Sequence, residues 1–136
     1  MPHALLTGIG IDITDMGRFA SHAAALPDGP AARYLTAYEM DEAQKKGRGA
    51  VEYLASRFAA KEAVMKCLGS GMDEVPFKDI EVYAAEGGAP AVRLTGKALE
   101  KLSGLGADFV VISLSHGREQ AVAVAAAVRG HALSDR

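Results

Sequence analysis

A single cysteine, Cys67, stands among the 136 residues, so the chain has no internal disulfide and no cysteine partner for a metal site. It reads as a small buried hydrophobe in preference to a reactive thiol. Excess charge is equally scarce. Fifteen basic and 17 acidic side chains leave a formal net charge of −2, which supplies no global field for holding nucleic acid or an anionic membrane. Any use of charge must be local. Long apolar runs are also missing: Ala121 to Val128 falls far short of the roughly 20 residues that cross a bilayer. Met1-Pro2-His3 lacks the basic segment and apolar stretch of an export signal, so a cytoplasmic location is the default expectation. No P-loop, Rossmann glycine pattern or zinc-spaced His/Cys set occurs. Gly8-Ile9-Gly10 lies within a strand pattern, where a dinucleotide fingerprint would put its glycines in the following turn.

What is present suits one modest core. With 49% apolar residues, the expectation is a single domain over 1–129 with a flexible tail at 130–136. Leu5 to Thr14 alternates Ile9, Ile11 and Ile13 with Gly8, Gly10 and Asp12, as in a strand with one apolar face. Thr14 or Asp15 can cap a helix through about Leu26, before the interruption Pro27-Asp28-Gly29-Pro30. Thr36 with Glu39 forms a capping-box signature for a helix from Ala37 to about Lys46. The longest helix runs from about Gly49 to Leu68 and stops at Gly69-Ser70-Gly71. Phe77 to Ala85 and Ala89 to Leu94 read as a hairpin around Glu86-Gly87-Gly88. Thr95 caps a short helix to about Ser103, and Asp108 to Ser115 and Gln120 to Val128 read as strands joined at His116-Gly117-Arg118. Early helices and later hairpins predict an α+β fold, a long helix on a mainly antiparallel sheet.

Three groups of residues could carry chemistry. Asp12 is a carboxylate between isoleucines; either it sits at the exposed end of an edge strand or something positive, such as a cation, neutralises it. The flanking Gly8 and Gly10 leave room for a ligand or another backbone. On the long helix Phe58, Glu62 and Lys66 share one face and Arg57 and Lys61 an adjoining one. Glu62 and Lys66 are either an ordinary surface pair, worth a few tenths of a kcal/mol, or, beside Phe58, charges at the edge of a core. Ser113-Leu114-Ser115-His116-Gly117-Arg118 runs a strand into a turn suited to an anion. Ser115 and His116 are not a nucleophile pair, because adjacent strand residues point to opposite faces.

Three segments in this order, Gly8-Ile9-Gly10-Ile11-Asp12-Ile13, Arg57-Phe58-Ala59-Ala60-Lys61-Glu62-Ala63-Val64-Met65-Lys66 and Ile112-Ser113-Leu114-Ser115-His116, resemble the bacterial holo-acyl-carrier-protein synthase family, of the 4'-phosphopantetheinyl transferase superfamily. Arg18, Leu35-Thr36 with Glu39, Gly69-Ser70-Gly71 and Phe77-Lys78-Asp79-Ile80-Glu81 add to the match, which covers about residues 5 to 128. The resemblance implies transfer of the 4'-phosphopantetheine of coenzyme A to a serine of apo-acyl carrier protein, for fatty acid or polyketide biosynthesis. It implies that Asp12 and Glu62 bind magnesium with the coenzyme A pyrophosphate and that Lys66 faces the same phosphates. Glu62, directly or through a water on the metal, would be the base. Arg57, Lys61, Ser115 and His116 would bind phosphate or the adenine side. Arg18, His22 and Arg33 would dock the carrier, on a surface less basic than is usual in the family. The wholly apolar Ala121 to Val128 needs cover on both faces, and the resemblance makes the assembly a homotrimer with sites at subunit boundaries. A coenzyme A or nucleotide-binding module without transfer activity, or a transferase domain of a larger synthase, is the alternative.

Overall fold

The computed structural model describes residues 5–70 and 74–130. The first strand, β1 (Leu5–Asp15), leads through a 3-10 turn, Met16–Arg18, into a short helix, α1 (Phe19–Ala24). The sequence predicts one longer helix capped by Thr14 or Asp15. The structure delays it because Asp15 makes no cap bond. The Asp15 carboxylate instead accepts from Gln120 Nε2 (3.3 Å), and Met16 N–H donates to Glu119 O (2.7 Å), so the strand end stays tied to the neighbouring hairpin. Helix α2 (Ala37–Gln44) starts with the expected capping box, Thr36 and Glu39 each accepting the other's backbone N–H.

Helix α3 (Ala50–Cys67) is the long one. It closes at Gly69, whose φ of +73° favours glycine, with Ser70 N–H donating to Met65 O (2.9 Å). Gly71 of the predicted stop, the Met1-Pro2-His3 start and the tail beyond 130 lie outside the described residues. Then follow β2 (Ile80–Ala84), β3 (Pro90–Leu94), α4 (Gly96–Gly104), β4 (Phe109–His116) and β5 (Gln120–Arg129). Phe77–Asp79, expected to open a strand, is a 3-10 turn. It has a use there: the Asp79 carboxylate accepts from Lys97 N–H (2.8 Å) and Ala98 N–H (3.4 Å), capping α4 in place of Thr95, whose side chain makes no cap bond.

The α+β class holds, with two antiparallel sheets: β1-β5-β4 and the separate hairpin β2-β3. Helix α3 packs on the first, and the sequence shows why it lies so close. A Cβ on Gly10 would stand 2.0 Å from Ala63 O and one on Gly8 2.3 Å from Cys67 O, so the helix rides on bare backbone. Beneath it β5 presents Ala121, Ala123, Ala125 and Ala127, all fully buried. The isoleucines of β1 therefore face away. Ile9, Ile11 and Ile13 are 65%, 60% and 58% exposed, and the register sets Ile11 opposite Val124 and Ile13 opposite Val122. The apolar face of β1 is the open face of the sheet, and its glycine face is the covered one.

Two cores result. Aliphatic side chains of α3, β2, β4, α4 and the β5 alanines fill one. The other is aromatic: Phe58 of α3 packs at centroid distances of 5.5 Å from Phe19, 5.3 Å from Tyr34 and 5.5 Å from Phe77. No helix among the described residues is long and apolar enough to cross a membrane.

Candidate active site

Where the bare face of β1 ends, Asp12 replaces glycine and meets the solvent-facing flank of α3. Lys66 Nζ donates to Asp12 Oδ1 (3.1 Å) and to Ile11 O (3.0 Å), which ties helix to strand across the end of the glycine contact. Glu62, one helical turn earlier, is half-buried beside them. Burial, and then the Asp12 carboxylate, raise its proton affinity; Lys66 and Arg18 oppose that rise. The Arg18 guanidinium lies over the Phe58 ring at 4.6 Å and the Phe19 ring at 5.0 Å. Two carboxylates, one ammonium and one guanidinium thus share one edge of the aromatic core. The arrangement can hold a cation between carboxylates and an anion against the bases.

Other expected site residues stand elsewhere. His116 Nε2 is 2.9 Å from Glu52 Oε1, on an open groove lined also by Met16, Arg48, Val51, Gly117 and Arg118. Glu52 precedes Glu62 by ten residues, about 15 Å along a helix axis. Ser115 is exposed, one residue before His116 on β4, and alternation sends it to the other face. Arg57 stacks over Tyr53 at 4.2 Å and donates from Nη1 to Ser56 Oγ (3.0 Å). Its buried Nε has no hydrogen-bond partner among the described residues, and burial pushes the Tyr53 pKa up to about 12.

Two expectations need correction. Lys61 does not face a ligand: it is fully buried, 2.7 Å from Glu39 Oε1, and donates to Phe77 O (3.2 Å) and Ile80 O (2.5 Å). Burial lowers its pKa and Glu39 resists that. The i, i+4 spacing grouped it with Arg57, but the adjoining face it occupies is roofed by α2 and the hairpin. His22 is also drawn inward, with Nδ1 2.9 Å from Tyr34 Oη. Burial, then Arg18, lower its pKa, which disfavours the charged form that an acidic partner would attract. Arg33 remains exposed. Sequence reasoning missed Glu39 as the partner of Lys61, having read it only as a cap; its acidic side chain in an otherwise weakly apolar helix gave no separate signal.

The sequence matches the 4'-phosphopantetheinyl transferase superfamily over residues 8–125. The chain belongs to that superfamily. Within it, a holo-[acyl-carrier-protein] synthase of Nitratidesulfovibrio vulgaris is 42% identical over 121 residues, spanning 88% of this chain and 96% of that relative. The holo-[acyl-carrier-protein] synthase structure from Neisseria meningitidis superposes with a TM-score of 0.78 at 34% identity, covering 90% of this chain and 98% of that one. A holo-(acyl-carrier-protein) synthase from Bacillus anthracis, in complex with coenzyme A, gives 0.74 at 34% identity, covering 92% and 98%. The two solved structures share the fold over nine tenths of this chain.

Proposed function

We propose that the chain is a holo-acyl-carrier-protein synthase, moving the 4'-phosphopantetheine of coenzyme A to a serine of apo-acyl carrier protein in the cytoplasm, with fatty acid or polyketide biosynthesis as the consumer. The observation that carries the site is the carboxylate pair Asp12 and Glu62 beside Lys66. Among the described residues no group of three His, Cys, Asp or Glu could by itself hold a metal. Magnesium fits the pair nevertheless, because it is satisfied by one or two carboxylates with phosphate oxygens and waters completing the shell. Held by Asp12 and Glu62, the ion would neutralise charge on the pyrophosphate.

The chain's own groups account for the rest. Lys66, more than half exposed, can leave Asp12 for a phosphate oxygen and supply a point charge as the leaving group departs. The Glu62 carboxylate, directly or through a water, takes the serine proton. The serine oxygen forms a bond to the β-phosphorus of coenzyme A, the bond from that phosphorus to the bridging oxygen breaks, and adenosine 3',5'-bisphosphate leaves with the electron pair. Arg57, Ser115 and His116 bind the phosphate or adenine side. Arg18 and Arg33 dock the carrier.

The open face of β1-β5-β4 supports a homotrimer. Ile9, Ile11 and Ile13 form an apolar strip with Val122, Val124 and Val128 that no helix among the described residues covers, and such patches are unusual on a monomer. The distance between His116 and Glu62 along α3 fits a site shared across a subunit boundary. Light scattering of the wild type should give about three times 14.2 kDa, and Val124→Asp should dissociate it; a fully active monomer would refute the assembly. For the reaction itself, intact mass of apo-carrier incubated with the protein, coenzyme A and magnesium should rise by one phosphopantetheine. No gain on any apo-acyl carrier, with coenzyme A bound, would turn the reading to a binding module.

A further inference from the structure

Helix α3 is held from two sides by contacts of opposite kind. Toward β1 and β5 it meets glycine backbone and alanine methyls, a smooth surface over most of its length, and at the end of that contact Lys66 bonds to Ile11 O and Asp12. Toward the hairpin it sends Lys61. The ammonium has three hydrogens and three acceptors: Glu39 Oε1 at 2.7 Å, Phe77 O at 3.2 Å and Ile80 O at 2.5 Å. Glu39 is equally well used, since Oε1 also accepts from Thr36 N–H (2.8 Å) and Oε2 from Val82 N–H (2.8 Å). Both side chains are fully buried. The network continues outward as Thr36 Oγ1 donates to Glu81 Oε2 (2.6 Å) and Arg93 Nη1 to Glu81 Oε1 (2.6 Å).

A buried pair of this kind adds little net stability over a well-packed apolar substitute. Its distinctive property is geometric. A charge with three fixed acceptors on α2, β2 and the preceding turn defines both the height and the rotation of the helix that carries it. Glu62 is the next residue. At the 5–6 Å radius of a helix with its side chains, a turn of about 10° moves a carboxylate by about 1 Å, and a displacement of that size is costly at a site that must converge on one ion.

We propose that the Glu39–Lys61 pair, with the Phe77 and Ile80 carbonyls, is a positioning device that sets the rotation of α3 and so holds Glu62 opposite Asp12. This rests on the reading that those two carboxylates share a divalent cation. Neither Glu39 nor Lys61 touches substrate; they act through Glu62.

The test is Mn2+ titrated into the folded protein with coenzyme A present, followed by the electron paramagnetic resonance of free Mn2+, on wild type, Asp12→Asn and the double variant Glu39→Gln/Lys61→Met. The double variant removes both charges at nearly constant volume, so it should fold and melt near the wild-type temperature while binding Mn2+ about tenfold or more weakly, the loss typical of an outer partner of a metal site. Glu39→Asp, which keeps both charges and shortens the reach by one methylene, should show the same weakening and decides the matter if the double variant does not fold. Wild-type Mn2+ affinity in either folded variant, whatever its melting temperature, overturns the positioning role while Asp12→Asn still loses the ion. If Asp12→Asn binds as wild type does, the shared-cation reading falls and takes this proposal with it.

Discussion

Lys61 and Lys66 stand on the same helix, and their surroundings give them opposite work. Lys61 is fully buried against Glu39 and two carbonyls, with its hydrogen-bonding capacity filled from within the fold. Lys66 is 54% exposed and bonds to the partly buried Asp12 and to Ile11 O, with the rest of its ammonium in solvent. Both are lysines paired with a carboxylate. The difference lies in what is left over: the hydrogens of Lys61 are filled from within the fold, whereas the exposed ammonium of Lys66 can turn toward a phosphate. A paired charge is a site residue only where its partner is incomplete.

The comparison breaks most sharply under truncation. Lys61→Ala strands a buried carboxylate, and should cost about 3–5 kcal/mol of unfolding free energy in urea; Lys66→Ala, at the surface, should stay within about 0.5 kcal/mol of wild type. Equal losses for the two would erase the distinction. Next in size is the catalytic effect of Lys66→Ala, expected on the proposed mechanism, in which the ammonium meets charge that develops as the leaving group departs, to lower kcat about 10- to 100-fold with a smaller change in KM for coenzyme A. An effect on KM alone would make Lys66 an anchor.

The aromatic core offers the smallest effect and sharpens the same contrast at a third base, the partly buried His22. The folded pKa of His22 is lowered, by burial and then by Arg18, so the unfolded chain binds the proton more readily below its ordinary value of 6.5. Stability contributed above that pH is lost as pH falls from 6.5 toward the folded value. His22→Gln should therefore flatten the urea midpoint over that acidic range; an unchanged pH slope would place His22 in solvent.

Much of this was legible in the sequence. The capping box at Thr36, the long helix and both hairpins are local signals, set by spacing within a few residues. Asp12, Glu62 and Lys66 stood out there as candidates, because a carboxylate on a glycine-lined strand and a charged face beside Phe58 both break the pattern around them. What escaped is what depends on a distant neighbour. The cap of α4 comes from Asp79 and not Thr95, and Lys61 belongs to the interior because Glu39 and the hairpin roof it. Periodicity identified the isoleucine face of β1 but could not say that alanines on β5 make the other face the buried one.

The account stands most directly on Glu62, which should serve chemistry and not the fold. Glu62→Gln keeps the shape of the side chain and removes its charge, and can be assayed for transfer of phosphopantetheine to apo-carrier and for melting temperature on one sample. The expected result is a melting temperature at or above that of wild type, since burial already disfavours the ionised carboxyl, with transfer reduced more than about a hundredfold. Wild-type turnover, or a loss of activity that merely follows unfolding, would contradict it.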